Sequence, residues 1–270
     1  MGSDPVILVT GAGGQVGTAL RTVVPGARFA DRSLLDVTRP DDAVFDGVDV
    51  VIHAAAMTNV DACELHPDEA GEVNGDGARR VAAAAVRQGA RTIFLSTDYV
   101  FDGMKSGAYS EDDPPCPINV YGRSKLAGER AVLEADPRNL VVRTSWVYGE
   151  GRNFIRTIRG AAADGRTLRV VDDQVGRPTA ARDIAVALKH LIACDAHGIV
   201  NVTGAGDPCS WADLAEVVTG GTVGRISTEE FGAPAPRPAN SVLSLDRAAA
   251  LGTPLRDWRS AVAEYLESAA

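Results

Sequence analysis

Val6-Ile7-Leu8-Val9-Thr10-Gly11-Ala12-Gly13-Gly14-Gln15-Val16-Gly17 carries the first unit of structure in this chain. Val6 to Thr10 is a continuous apolar run, the pattern of a strand buried on both faces of a parallel sheet. It feeds without a spacer into a glycine loop, and a helical segment then runs to Val24. A glycine pattern alone marks no more than a tight turn. Between a buried strand and a helix it has the context that dinucleotide binding needs. Gly11 permits the turn, Gly14 lets backbone approach a pyrophosphate, and Gly17 lets the helix pack on the strand. The helix N-terminus, opening at Gln15 and Val16, offers amide donors and positive potential to phosphates.

Outward from this unit the strand pattern repeats. Ala27 to Asp31 reads as a second strand, Val48 to His53 as a third, Arg91 to Ser96 as a fourth and Leu140 to Arg143 as a fifth. Residues 61 to 88 read as helical. Alternating buried strands and helices predict an α/β fold, a doubly wound parallel (Rossmann) sheet. Asp31 stands twenty residues after Gly11, where a carboxylate can accept hydrogen bonds from an adenosine ribose, which favours NADH. Arg32 beside it suits a 2′-phosphate and pulls toward NADPH, so both cofactors stay open. Asp36 and Val37 could border the adenine. Ala54, Ala55 and Ala56 follow the third strand with side chains small enough for a cofactor to lie against backbone. His53 reads as a satisfied strand-end residue rather than a ligand or base.

Asn119 begins a helix that carries Tyr121-Gly122-Arg123-Ser124-Lys125. Tyrosine and lysine at this spacing stand on one helix face. A phenol titrates near pH ~10 in water, and an ammonium one turn away is expected to lower that value. Lysine can also hold a cofactor ribose. Thr97 and Asp98 sit where the fourth strand opens into a loop, and Thr144-Ser145-Trp146 where the fifth ends. In open parallel sheets ligands bind at these carboxyl ends. The loop from Val100 to Pro117 is long enough to be functional.

The chain has 270 residues, is 45% apolar and carries a formal charge of −9. With no basic run, nucleic acid and anionic membrane surfaces are poor partners. Cys63, Cys116, Cys194 and Cys209 form no C-x-x-C pair and have no histidine at ligand spacing, so neither a disulfide framework nor structural zinc is expected. A reducing cytoplasm is the expected location. No apolar run approaches the ~18 residues of a membrane helix, and a strand pattern close to Met1 leaves no room for a signal peptide. Residues 1–150 read as the dinucleotide-binding core. Residues 151–270 read as mainly a smaller substrate lobe, with some elements returning to the core. Short strands (168–171, 199–202) there alternate with helices (153–163, 181–193, 211–218), and 220–243 has no clear periodicity.

These stretches together resemble the extended short-chain dehydrogenase/reductase superfamily and, within it, the dTDP-4-dehydrorhamnose reductase family. The glycine loop and Tyr-x-x-x-Lys are common to the superfamily. Ser96-Thr97-Asp98-Tyr99-Val100-Phe101-Asp102-Gly103, Ser145-Trp146-Val147-Tyr148-Gly149 and Asp173-Gln174-Val175-Gly176-Arg177-Pro178-Thr179 are far more specific. The resemblance covers nearly the whole chain. It implies a two-lobed enzyme that uses NADPH or NADH to reduce the C4 ketone of a dTDP-4-keto-6-deoxy-L-hexose. Tyr121, Lys125 and Thr97 would be catalytic. Gly11, Gly14, Gln15, Val16, Gly17, Asp31, Asp36, Val37, Ala54, Ala55, Ala56, Tyr121 and Lys125 would hold the cofactor. Thr97, Asp98 and Trp146 would contact the substrate, and Arg237 is a candidate to neutralise its pyrophosphate. Related dehydratases carry Thr-Asp-Glu after strand four; here Tyr99 takes the Glu position, which argues against dehydration. Some relatives bind magnesium between subunits through an acidic residue on the first helix. Ala19 stands at that position, so no metal is expected, and the protein could be a monomer or a homodimer. Two alternatives remain: a ketoreductase for another dTDP-deoxysugar, and a non-catalytic regulatory subunit.

Overall fold

In a computed structural model, which describes residues 4–268, six strands form one parallel sheet. They are β1 (Ile7–Thr10), β2 (Arg28–Ala30), β3 (Val50–His53), β4 (Arg91–Thr97), β5 (Leu140–Thr144) and a sixth, Gly198–Asn201. The order across the sheet is β2-β1-β3-β4-β5 and then Gly198–Asn201, with every pair parallel. From β1 the chain moves to one edge and then returns to build β3 on the other side. The crevice at this reversal, outside the carboxyl ends of β1 and β3, is where such sheets bind ligands.

The two-residue period of the strands sorts their apolar side chains onto opposite faces. Ile7, Val9, Val50 and Ile52 join one core cluster with Leu20 of the Gln15–Val23 helix and Ile184, Leu188 and Leu191 of the Ala181–Ala193 helix. Leu8 and Val51 join the other, with Val81, Ala84 and Ala85 of the Gly77–Arg87 helix. The Val120–Ala135 helix continues this second layer through Val132, packed with Phe94 and Val141. On its buried side Glu129 accepts from Nε and Nη2 of Arg143 on β5, at 2.9 and 2.7 Å, with both side chains 2% exposed. Removing either partner would strand the other's charge in the interior, at about 3–5 kcal/mol.

The span 61–88 is interrupted twice rather than continuous. The Val60–Leu65 helix ends at His66, because the following Pro67 disfavours the helical region for the residue before it. After a further turn, Gly71–Asp76 widens into a π-helix around Asn74. That fully buried side chain accepts from the Met57 N–H at 2.8 Å and donates to the Met57 carbonyl and Ser124 Oγ.

Past residue 150 the chain crosses back to the sheet. The Ala181–Ala193 helix and the Gly198–Asn201 strand belong to the main core. The remainder has its own apolar centre, in which Ile155, Leu214, Val218, Trp258 and Val262 pack together. The span 220–243, which shows no clear periodicity in sequence, contains the strand Gly224–Ile226, paired with Arg169–Val171, and the short helix Thr228–Phe231. No helix is long and apolar enough to cross a membrane among the described residues.

Candidate active site

A cavity of about 790 Å³ lies over the carboxyl ends of β1, β3, β4 and β5. Its floor is the glycine loop. Gly11 has φ +69°, and a Cβ there would lie 2.6 Å from the Ala55 nitrogen, so only glycine fits both the backbone and the space. A Cβ on Gly17 would lie 2.4 Å from the Gly11 carbonyl; its absence lets the helix sit directly on the loop. Gly14 presents bare backbone to the cavity and no side chain caps the helix that follows. This leaves amide donors for an anion. Gln15, Val16, Asp36, Val37 and Ala54 to Ala56 also line the cavity.

Polar atoms wait unpartnered around the same wall. Gln15 Oε1, Ser96 Oγ, Asp98 Oδ2 and Thr144 Oγ1 are buried without hydrogen-bond partners among the described residues, and all four residues line the cavity. Buried polar atoms are rarely left so. With the bare glycine backbone, they fit a polar cofactor and substrate.

The Val120–Ala135 helix brings in Tyr121 and Lys125. Its start is fixed by Asn119, whose Oδ1 accepts from the Gly122 N–H at 2.7 Å, and by Glu64, whose Oε2 accepts from the Val120 N–H at 2.9 Å. Two glycines set its depth. A Cβ on Gly122 would lie 2.0 Å from the Tyr99 carbonyl and one on Gly128 2.4 Å from the Asn74 carbonyl. The helix is therefore pressed against both the end of β4 and the π-helical turn. Thr97, Tyr121 and Lys125 all line the cavity as a result.

Their electrostatics differ from the expectation of a phenol acidified by its lysine. Burial drives the Tyr121 phenol above its ordinary value, opposed mainly by a hydrogen bond with Thr97. Burial also pushes the Lys125 ammonium down to about 7, with Glu129 pulling the other way. The Lys125 Nζ sits 3.9 Å from the centroid of the Phe94 ring, a cation–π contact. For both groups desolvation is the largest influence. Tyr121 is thus firmly a proton-bearing phenol.

Trp146 adopts φ +46°, a region unfavourable for a bulky residue and worth on the order of 1–3 kcal/mol of strain. The stack with Trp211 holds it there, with ring centroids 3.6 Å apart and planes within 7°. Gly176 completes the fit, since a Cβ on it would lie 2.6 Å from the Trp146 ring.

Two sequence candidates lie outside the lining. The Asp31 carboxylate accepts from the N–H groups of Ser33 and Leu34 and from Ser33 Oγ, while Arg32 lines the cavity. Arg237 donates to Asp61 Oδ1 at 2.9 Å. His53 is fully buried, its Nδ1 2.7 Å from Thr10 Oγ1, and burial pushes it down to about 3. Sequence reasoning missed Met57, Thr58, Ser96 and Trp211 in the lining. Met57 and Thr58 follow directly on Ala56 and could have been found by extending that run. Nothing local in the sequence marks Trp211. Among the described residues no His, Cys, Asp or Glu group is clustered as a metal site requires.

A glycine loop at a parallel-sheet switch point, with Tyr-x-x-x-Lys on the facing helix, defines the class of the short-chain dehydrogenases/reductases. Comparison with known proteins narrows the class. The family model described as "RmlD substrate binding domain" matches residues 5–270. The dTDP-4-dehydrorhamnose reductase of Aggregatibacter actinomycetemcomitans is 40% identical, over 95% of this chain and 96% of its own. A Streptomyces antibioticus protein named "Probable dTDP-4,6-dihydroxy-2-methyloxan-3-one 4-ketoreductase" is also 40% identical, over 95% and 93%. The crystal structure of dTDP-4-dehydrorhamnose reductase from Bacillus anthracis in complex with NADP superposes with a TM-score of 0.92 at 34% identity, covering 98% of this chain and 100% of that one. This chain belongs to the dTDP-4-dehydrorhamnose reductase family.

Proposed function

We propose that this chain reduces the C4 ketone of a dTDP-linked 4-keto-6-deoxy-L-hexose, dTDP-4-dehydrorhamnose in the first instance, with NADPH as the preferred reductant. The observation that carries this reading is the convergence of Thr97, Tyr121 and Lys125 with the glycine loop on one cavity. A reduced nicotinamide, when bound, supplies hydride. The chain's residues do the rest. The backbone at Gly14 and the open helix start receive the pyrophosphate, and Ala54 to Ala56 give a flat wall. Lys125 grips ribose hydroxyls. Tyr121 donates its proton to the ketone oxygen, and Thr97 hydrogen-bonds that oxygen as charge builds on it. Asp98 and the Trp146–Trp211 stack wall the sugar subsite, and Arg237 meets the substrate pyrophosphate.

NADPH is preferred because Arg32 faces the cavity while Asp31 is occupied within its own loop. Reduction fits better than dehydration because Tyr99, in the cavity where a dehydratase has its glutamate, is a phenol that burial drives still further from ionising. The equal similarity to the Streptomyces antibioticus ketoreductase supports a second reading of the same chemistry on another dTDP-deoxysugar.

The test is stoichiometric oxidation of NADPH by dTDP-6-deoxy-L-lyxo-4-hexulose, with product identification against other 4-keto deoxysugar nucleotides. Proton donation is typically worth ~10²-fold or more. Tyr121→Phe should therefore lower kcat by about that factor and leave cofactor affinity within about twofold. Near-normal turnover in that variant would remove Tyr121 from the acid role.

A further inference from the structure

A threonine hydroxyl has one proton, and two oxygens beside Thr97 compete for it. Thr97 Oγ1 lies 2.9 Å from Asp98 Oδ1, it accepts from the Tyr99 N–H at 3.2 Å, and it shares a hydrogen bond with the Tyr121 phenol. If the Asp98 carboxyl were ionised it could only accept, and it would hold the Thr97 proton. Thr97 would then have nothing to give a ketone oxygen beside Tyr121. The reductase reading above requires Thr97 to donate into the cavity.

The surroundings of Asp98 resolve this conflict. Its side chain is 2% exposed. Its other oxygen, Oδ2, is buried with no partner among the described residues. The groups that face it are hydroxyls and phenols: Thr97 on its own turn, Ser241 from the late loop, Tyr99 beside it and Tyr121 from the helix. Hydrogen bonds from the Ser241 and Thr97 hydroxyls and from the Asp98 and Tyr99 N–H groups favour its ionised form, but burial outweighs them.

We propose that Asp98 works as a neutral carboxylic acid that donates to Thr97 Oγ1 and so turns the Thr97 proton into the cavity, which makes Asp98 a positioning residue for the ketone. The carboxyl proton is held, not consumed. In each turnover the ketone takes hydride from the reductant and a proton from Tyr121, and Asp98 is unchanged. Burial pushes its carboxyl up to about 7, in the direction the proposal requires. This inference rests on the reductase reading and assigns the state of one group within it.

Carboxyl-carbon NMR on protein labelled with ¹³C-aspartate tests it directly, with the Asp98 signal identified by its loss in Asp98→Asn or Asp98→Ser. Titration near neutral pH is expected; a signal that titrates below roughly pH 5, the ordinary aspartate range, overturns the proposal. Kinetics give a second readout. In the wild type a limb of kcat should fall as pH rises through the Asp98 value, and Asp98→Asn should lack that limb while keeping any limb due to Lys125. Asn also retains an N–H donor, so Asp98→Asn should keep about tenfold more kcat than Asp98→Ala, the value of one hydrogen bond. Equal loss in the two variants overturns the proposal. Thr97→Val separates the two layers: unchanged kcat there removes Thr97 from the reductase reading, whereas a large loss with a low-titrating Asp98 removes only the role of its proton.

Discussion

Tyr121 and Lys125 show how burial rewrites a local motif. One helical turn apart, a phenol and an ammonium should acidify the phenol. Inside the cavity the low dielectric penalises both charged forms instead, so Tyr121 rises and Lys125 falls to about 7. For a reductase this is serviceable chemistry, since the forward reaction needs tyrosine as an acid and not as a phenolate. A single-residue prediction concerns Arg32. It lines the cavity, while the neighbouring Asp31 is tied to Ser33 and Leu34. A guanidinium–phosphate contact is worth ~1.5–3 kcal/mol, or about tenfold or more in affinity. Arg32→Ala should raise KM for NADPH by at least that factor and change KM for NADH by less than about twofold, as read from steady-state kinetics with each cofactor. Equal losses for both would show that Arg32 does not read the 2′-phosphate.

At the scale of elements, the Val60–Leu65 helix and the segment after Phe231 meet through one carboxylate. Asp61 Oδ1 accepts from Arg237 at 2.9 Å and from the Ala235 N–H at 3.2 Å, and Asn119 donates to the Pro236 carbonyl at 2.9 Å. Arg237 is therefore held by a protein anion that competes with any substrate pyrophosphate. Asp61→Asn keeps an acceptor for Ala235 and removes the charge. It should lower KM for the sugar nucleotide about three- to fivefold, the scale of a partly exposed ion pair, without raising kcat. The effect should vanish in an Arg237→Gln background. If Asp61→Asn raises KM instead, the pair is a brace for the loop and not a competitor. Such links also mark where the sequence stops being readable. The glycine loop, the buried strands and the Tyr-x-x-x-Lys helix were legible because each is a local pattern of period or spacing. The break before Pro67 was equally local, yet it hid beneath a helical composition. The π-helical turn at Asn74, the Trp146–Trp211 stack and the Asp61–Arg237 pair depend on residues far apart in the chain, and no local period encodes them. Asp31 has the spacing for a ribose contact, and Ser33 two residues later adds a local donor that the spacing alone does not announce.

For the molecule as a whole, the buried titratable groups set the pH range of stability, and two of them act in opposite senses. His53 is fully buried beneath the cavity, stacked on Phe94 with ring centroids 5.5 Å apart. Burial, with Lys125 adding to it, holds it down at about 3. A group depressed on folding contributes stability that is present above its unfolded value, ~6.5 for histidine, and is lost as pH falls toward the folded value. Because this side chain has no exposure, the loss is on the order of a few kcal/mol. Asp98 is raised instead, so its contribution is intact below the ordinary aspartate value and is lost as pH rises through about 7. Between roughly pH 4 and pH 6.5 the two contributions offset each other, so each shows only when the other is removed. His53→Gln separates the two arms. It costs stability at pH 8 through lost packing on Phe94, but it cannot take up a buried proton. Between roughly pH 6.5 and pH 3 its unfolding free energy should fall less steeply than that of the wild type, in denaturant titrations that hold ionic strength constant. Identical slopes would assign the acid loss to surface carboxylates such as Asp31, Asp36 and Asp113, which local donors hold below their ordinary range, and would leave His53 as a packing residue alone.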